Sequence, residues 1–307
     1  MIKKKHNELK IKVIGIGDCG IGAIGKINSS DSVDTIAIYR HFFFYENKAK
    51  YSLEIREDCG GLDGGPDKGE EAAENSKKEI ANLIKEANVV FIISGMGGNT
   101  GSGASPVIAK IARELNILTI AIVTQPYHFE GKNRIRNAKL GIINLCRYSD
   151  VVIEISNNKI IELYQDLTME EAWTTTVEKA IVPFFNVLCE LFLTKVENNI
   201  ICFNKIRNYL IKSGMGYIGY DYSDSNNDIA SSVKRAIKNP YLDKFFCKAK
   251  NIIVSVYNSR KLSDDEINKI KTTISIYLIY SNIIIFQNVD EKYKNDNHLI
   301  ILGTDLV

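Results

Sequence analysis

Ile92-Ile93-Ser94-Gly95-Met96-Gly97-Gly98-Asn99-Thr100-Gly101-Ser102-Gly103-Ala104-Ser105-Pro106 joins an apolar run to a series of glycines and hydroxyl side chains. The apolar run Val89 to Ser94 predicts a buried strand, and a helix is expected from about Gly103 to Leu115. Between them lies a loop with five glycines. Glycine lets backbone N–H groups approach an anion closely, and a helix N-terminus adds a partial positive charge. Thr100 and Ser102 bring hydroxyl donors to the same place. The stretch therefore reads as a phosphate cradle, or else as a glycine-rich turn packed on a sheet. The Gly-Lys-Ser/Thr ending of a Walker loop is absent.

A second glycine loop lies upstream. Lys12 to Asn28 reads as strand, loop and helix, and contains Gly15-x-Gly17-x-x-Gly20, the formal dinucleotide fingerprint. A NAD site needs an acid at the end of the second strand for the ribose hydroxyls. The second strand here, Val33 to Ile38, ends in Tyr39-Arg40-His41. NAD is disfavoured, and NADP survives as a minor reading through Arg40. Further strand and helix patterns follow: a helix over Asn75–Glu86, a helix over Asn133–Arg147 with apolar residues at 135, 138, 142 and 145, and a strand over Val151–Ile155. Strands alternating with helices over residues 11–158 indicate an α/β fold with a parallel, Rossmann-like sheet. Ligand is then expected outside the C-terminal strand ends.

The glycine stretch and the segment Asn116 to Arg134, which includes Thr124-Gln-Pro-Tyr-His-Phe-Glu130-Gly-Lys-Asn-Arg134, together resemble the tubulin/FtsZ superfamily, and bacterial FtsZ more than eukaryotic tubulin. The signature loop of that family reads Gly-Gly-Gly-Thr-Gly-Thr/Ser-Gly. The resemblance is dense from about Lys12 to Asn158 and looser beyond. It implies a Rossmann-type GTP-binding domain over 1–166, a long central connecting helix over 167–196 and a smaller α+β C-terminal domain over 197–307. It also implies GTP or GDP as ligand, with Mg²⁺ brought by the nucleotide rather than held in a protein cage.

The same resemblance assigns residues. The phosphates would rest on Gly17, Asp18, Cys19, Gly20, Ile21 and Gly22, and on Gly97, Gly98, Asn99, Thr100, Gly101 and Ser102. Glu130 and Arg134 would hold ribose and phosphate. Asn157, in Ser156-Asn157-Asn158-Lys159, would recognise guanine, since an amide both donates and accepts; the alternative is an Asn in an ordinary turn. Trp173 would stack on the base or pack in the core. Glu178 would accept from the guanine N1–H. Asp18 departs from the family by placing a carboxylate beside an expected phosphate, and Gly22 replaces a family Asn. The loop Cys59 to Gly69 reads as turn-rich and about two residues shorter than its family counterpart. Phe42-Phe43-Phe44-Tyr45 reads as a buried or edge strand, or as a partner-binding patch.

Thr168-Met-Glu-Glu171 is a capping box opening a helix that runs to about Thr194, with Pro183 expected to kink or split it. The next stretch, Asn199-Ile-Ile-Cys202-Phe203-Asn204-Lys205-Ile206-Arg207, resembles the family loop whose acids polarise water in the neighbouring subunit. Anchored on Phe203 and Arg207, both acids are replaced, by Cys202 and Lys205. No Asp occurs between Leu167 and Tyr220, and Glu197 is the nearest acid. Cys202 reads as a packing cysteine before a nucleophile, with no His nearby in sequence. No catalytic residue is therefore assigned, and hydrolysis is expected to be weak. Ser213 to Gly219 resembles a family turn. Helices are expected at Ser231–Lys238 and from the capping box Ser263–Glu266 to about Ser275, and strands at Ile252–Tyr257, Ile283–Gln287 and Leu299–Leu302.

The net charge of +2 implies no bulk attraction to nucleic acid or membrane. Six scattered cysteines without a Cys-x-x-Cys pair, and four isolated histidines, present no metal motif. Lys3-Lys4-Lys5 reads as a solvated tip. No signal peptide or membrane span is visible, and the family's C-terminal linker and tethering peptide are not found before Val307. The expectation is a cytoplasmic protein, at the division site, that assembles head to tail with itself or with another FtsZ. It would meet other division proteins without binding membrane directly. The alternative is a non-hydrolysing paralogue acting as structural or regulatory partner of a complete FtsZ.

Overall fold

The computed structural model describes residues 9–27, 29–40, 48–57, 65–193, 199–224, 228–238, 240, 249–278, 281–294 and 296–304. The segments His41–Tyr45 and Cys59–Gly64, the Lys3–Lys5 tip, Glu197 and the side chain of Cys202 lie outside the described residues. Two compact units emerge, one comprising Met1–Phe185 and Asn198–Ile211, the other Asn186–Glu197 and Lys212–Val307.

The first unit is built on six parallel strands. They are β1 (Ile11–Ile16), β2 (Val33–Tyr39), β3 (Tyr51–Glu54), β4 (Val89–Gly95), β5 (Leu118–Gln125) and β6 (Val151–Ser156), in the order β3-β2-β1-β4-β5-β6. Strands buried on both faces read as continuous apolar runs. Val89-Val90-Phe91-Ile92-Ile93-Ser94 is such a run and is wholly buried. β3 is short and largely exposed, as an edge strand can be. The chain builds outward from β1 to β2 and β3, then returns to the other side of β1 for β4. That reversal opens a crevice at the C-terminal ends of β1 and β4, where open α/β sheets bind ligands.

Several helices differ from the sequence reading. The helix after β4, α4 (Asn99–Glu114), begins four residues before the expected Gly103. Gly101 and Gly103 are thus helical, and they are glycines because their faces are crowded. A Cβ on Gly101 would lie 2.2 Å from the Gly95 carbonyl oxygen, and one on Gly103 would lie 1.9 Å from that of Pro66. Pro66, Asp67, Lys68 and Gly69, read as loop, open helix α2 (Pro66–Asn75), with Pro66 in the first turn where its missing N–H costs nothing. The single helix expected over Asn75–Glu86 is instead the end of α2 and a separate α3 (Lys77–Ile84), which meet at Ser76. The remaining elements of this region are α1 (Gly17–Ile24), α5 (Lys132–Tyr148) and α6 (Asn157–Leu163).

The capping box at Thr168 is present: its hydroxyl accepts from Glu171 N–H while the Glu171 carboxylate accepts from Thr168 N–H. It opens α7 (Met169–Thr176). A π turn over Val177–Ile181 follows, then α8 (Val182–Leu193). The irregularity sits just ahead of Pro183, which has no N–H for the carbonyl four residues earlier, at Lys179. The stretch resembling the family's catalytic loop is helical here, as α9 (Asn199–Leu210). Phe203, Ile206 and Leu210 share its buried face at helical spacing. Arg207 donates to Asn116 Oδ1 at 2.8 Å and ties α9 to the turn before β5.

The second unit holds β7 (Gly214–Asp224), β8 (Asn251–Asn258), β9 (Asn282–Val289) and β10 (Asp296–Thr304), in the order β7-β10-β8-β9. β10 runs antiparallel to β7 and β8, while β8 and β9 are parallel. The segment expected as a turn, Ser213–Gly219, is mostly strand: Gly216 and Gly219 pair with Thr304 and Ile301. The turn lies just before it, where Lys212 and Gly214 have φ of 53° and 73°. Helices α10 (Ile229–Ile237) and α11 (Asp264–Tyr277) cover a core that includes Val233, Ala236, Val254, Ile270 and Ile301. Ser263 and Glu266 form the expected capping box of α11.

Candidate nucleotide-binding site

A cavity of about 740 Å³ opens at the C-terminal ends of the parallel strands of the first unit. That volume is within the range of small-molecule sites, roughly 300–1,000 Å³. Each strand delivers a different group to its wall. β1 is followed at once by Gly17, whose φ of +65° turns the chain into α1. Asp18 and Cys19, in the first turn of α1, line the wall. β4 delivers Gly98, Asn99, Thr100 and Gly101. A Cβ on Gly98 would find nothing nearer than Arg134 Nη2 at 3.9 Å, so this backbone faces open space.

β5 delivers Thr124, Pro126 and Tyr127, then Glu130 and Arg134. One carboxylate oxygen of Glu130 accepts from Tyr127 N–H at 2.7 Å, and the other meets Arg134 Nε at 2.7 Å. Glu130 thus shapes the turn and steadies a half-exposed guanidinium at the cavity edge. β6 delivers Asn157, which is 5% exposed and whose Oδ1 has no hydrogen-bond partner. The adjacent Asn158 is spent on structure: its Oδ1 accepts from His128 N–H at 3.0 Å and its Nδ2 donates to the Pro126 carbonyl at 3.4 Å. Met169 and Trp173 on α7 complete the wall beside Asn157.

The other residues singled out in the sequence do not line this cavity. Gly20 is a packing glycine, since a Cβ there would lie 2.2 Å from the Ile93 carbonyl oxygen. Ile21 is buried in α1 and Gly22 lies half-buried beside it. Gly97 and Ser102 support the loop from behind: Gly97 N–H donates to Ser102 Oγ at 2.7 Å. Glu178, on the π turn, is exposed and meets Lys26 Nζ at 3.3 Å. Conversely, Tyr39, Arg40, Met96, Thr124, Pro126, Tyr127 and Met169 line the cavity without having been assigned to it by the sequence. In the sequence Arg40 bears only on NADP, and the signal for its place here is a cation immediately after a strand.

Charges on the wall are of both signs. Asp18 is exposed, Glu130 is paired with Arg134, and Arg40 is buried. Burial pushes the Cys19 thiol up to about 12, with Asp18 and Glu130 adding to it and the Thr124 hydroxyl, 3.6 Å from Sγ, opposing it. Cys19 is therefore an uncharged thiol at neutral pH and adds no negative charge beside an anion. Among the described residues no group of three or more His, Cys, Asp or Glu is placed to hold a metal. The two ends of the cavity thus differ: open glycine backbone and a helix N-terminus at one end, and the Trp173 ring with the Asn157 amide at the other.

Residues 54–165 match the Tubulin/FtsZ family, GTPase domain. The cell division protein FtsZ of Mycoplasmopsis pulmonis is 32% identical over 313 residues, covering 96% of this chain and 77% of that protein. The chain belongs to the tubulin/FtsZ family. FtsZ 1 of Archaeoglobus fulgidus is also 32% identical, over 97% of this chain and 83% of its own length. Among solved structures, an empty FtsZ dimer of M. jannaschii aligns with a TM-score of 0.80 at 28% identity, covering 98% of this chain and 89% of that one. A GTPγS-bound CetZ2 protofilament from Haloferax volcanii aligns with a TM-score of 0.79 at 19% identity, which speaks for the fold alone. The tubulin/FtsZ family is one of GTP-binding cytoskeletal proteins, and this member has its α/β fold. No described helix is long and apolar enough to cross a membrane.

Proposed function

We propose that this chain binds a guanine nucleotide in the cavity of the first unit and assembles head to tail, with itself or with another FtsZ, into filaments at the site of bacterial cell division. The observation that carries the reading is Asn157. Its Oδ1 is buried and unpaired at the aromatic end of a cavity whose other end is glycine backbone. A buried acceptor without a donor costs on the order of 1–3 kcal/mol. The N1–H and exocyclic amine of guanine are donors that would relieve it, while its O6 would accept from Nδ2. Trp173 supplies a face for the base, Glu130 and Arg134 an edge for the ribose and first phosphate, and Gly98 to Thr100 with Gly17 to Cys19 the cradle for the phosphates. Mg²⁺ would come with the nucleotide, and the acceptor role falls to Asn157 rather than to the Lys26-paired Glu178. Assembly is supported by the relatives' names, cell division protein FtsZ, and by the FtsZ dimer among similar structures.

Turnover is proposed to be slow. The segment resembling the family's catalytic loop has Cys202 and Lys205 in its sequence where that loop has acids, and Lys205 is exposed. Neither is a carboxylate, and a general base at that place is typically worth about 10²–10⁴-fold. The same substitutions support a second reading, a non-hydrolysing partner of a complete FtsZ. A GTPase assay on the purified chain, alone and mixed with an ordinary FtsZ, tests both. The chain alone should bind GTP yet turn it over far more slowly than the ordinary protein, and Cys202→Asp with Lys205→Asp should raise the rate. Vigorous hydrolysis by the unaltered chain would refute slow turnover. Binding of ATP as tight as GTP would refute the guanine reading.

A further inference from the structure

Among the described residues of the cavity wall, Arg40 is the one that is both charged and almost fully enclosed. It follows β2 directly, is 4% exposed and lines the cavity. Its Nε donates to Glu57 Oε2 at 3.0 Å and its Nη2 to Glu57 Oε1, a bidentate pair in which the Glu57 side chain is 1% exposed. A guanidinium carries five N–H donors in a rigid fork. Glu57 takes two of them and leaves three on the far edge of the group. A buried ion pair of this kind does little for stability compared with packed apolar side chains. What it does is fix the orientation of a planar donor set, and that matters where a planar or tetrahedral anion has to be met.

The strand order says which part of a ligand Arg40 meets. Along the row of strand ends, β2 carries Arg40, β1 carries Gly17 to Cys19, β4 carries Gly98 to Thr100, β5 carries Glu130 and Arg134, and β6 carries Asn157. Adjacent strands are about 4.8 Å apart, so β6 to β2 spans roughly 19 Å. A nucleotide with its base on Asn157 and Trp173 and its first phosphates on the β4 and β1 loops therefore points its far end at β2. Of the charges along the row, Arg134 is held by Glu130 at the β5 end, and Asp18 adds a carboxylate beside the β1 loop. Among the described residues lining the cavity, Arg40 is the cation that lies beyond both glycine loops.

We propose that Arg40, oriented by Glu57, binds the terminal phosphate and so separates a nucleoside triphosphate from a diphosphate. This rests on the nucleotide reading of the cavity given above. Because the Arg40–Glu57 pair is neutral overall, its contribution is directed hydrogen bonding to the last phosphate rather than general attraction to anions. Hydrogen bonds to a charged group are each worth enough that losing one or two changes affinity by about 10–100-fold.

Removing Arg40 alone would strand a buried carboxylate, so the variant of choice is Arg40→Met combined with Glu57→Met, which replaces the pair by apolar side chains of similar volume. Calorimetric titration with GDP and with a non-hydrolysable GTP analogue is the measurement, at one fixed Mg²⁺ concentration. The parent should prefer the triphosphate. The double variant should bind GDP as the parent does, which also reports that it is folded, and should bind the triphosphate about 10–100-fold more weakly. Arg40→Lys, which keeps the charge without the fork, should restore part of the difference. Equal loss for both nucleotides, no loss for either, or a parent without preference for the triphosphate overturns the proposal. If ADP and an ATP analogue show the same pattern at equal affinity, the guanine reading falls and the role of Arg40 stands. If the parent binds no nucleotide, both fall.

Discussion

Gly103→Ala should destabilise the protein, although the same change in most helices does the opposite. Inside a helix, alanine is favoured over glycine by about 1 kcal/mol. At Gly103 the added Cβ would lie 1.9 Å from the Pro66 carbonyl oxygen and 2.7 Å from the Glu70 amide nitrogen. Both are backbone atoms of α2, so no side chain can swing away. To reach ordinary contact, which begins at 3.4 Å, α2 and α4 have to separate along their whole interface. Overpacking of this kind costs about 1–3 kcal/mol, and a backbone clash belongs at the upper end. After the helix-propensity gain, the net loss should be about 2 kcal/mol, or a fall of about 4–8 °C in the melting temperature. Gly98→Ser is the matching control: its Cβ meets only Arg134 Nη2 at 3.9 Å, and serine is a favoured N-cap. Thermal and urea melts of the nucleotide-free protein, followed by circular dichroism, measure both. Gly103→Ala as stable as the parent, or more so, would refute the claim that this glycine serves helix–helix approach.

Two further outcomes are expected. Trp173 is the only tryptophan, so its emission should change as GDP saturates the cavity, and Trp173→Ala should weaken binding by about 1–3 kcal/mol; an unchanged spectrum at saturation would leave Trp173 a packing residue. In the second unit, hydrogen bonds from Arg260 Nη1 and Nη2 at 2.8 and 2.7 Å, with those from Ser263, pull the Glu266 carboxyl down to about 2. A carboxylate lowered on folding adds stability above its unfolded pKa of about 4.3 and loses it as pH falls towards the folded value. The stability gap between the parent and Arg260→Ala should therefore be widest above about pH 5 and close towards pH 2, and a gap constant across that window in urea melts would count against the pair.

Much of the fold is carried by interactions that are local in sequence. The strands Val89–Gly95, Leu118–Gln125 and Val151–Ser156 are legible because strands covered on both faces need continuous apolar runs. The capping boxes at Thr168–Glu171 and Ser263–Glu266 close over three residues, and Pro183 disturbs its helix through the bond it cannot make. Family resemblance added the cavity's Thr100, Glu130, Arg134, Asn157 and Trp173, which the fold brings together from five separate elements.

What depends on partners distant in sequence was decided only by the tertiary structure. Glycines look alike in a sequence, yet Gly98 faces open space while Gly20 and Gly103 face backbone from elsewhere in the chain. Asn157 and Asn158 are neighbours; the packing of the turn after β5 takes up one amide and leaves the other's oxygen buried and unpaired in a residue that lines the cavity. The stretch 199–210 resembles a family loop, yet Phe203, Ile206 and Leu210 find a buried face and make it a helix. Arg40 and Glu57 are 17 positions apart, and no spacing rule links them. They pair because β2 sets Arg40 at the crevice and the chain after β3 returns Glu57 beside it, in a place dry enough that each charge requires the other.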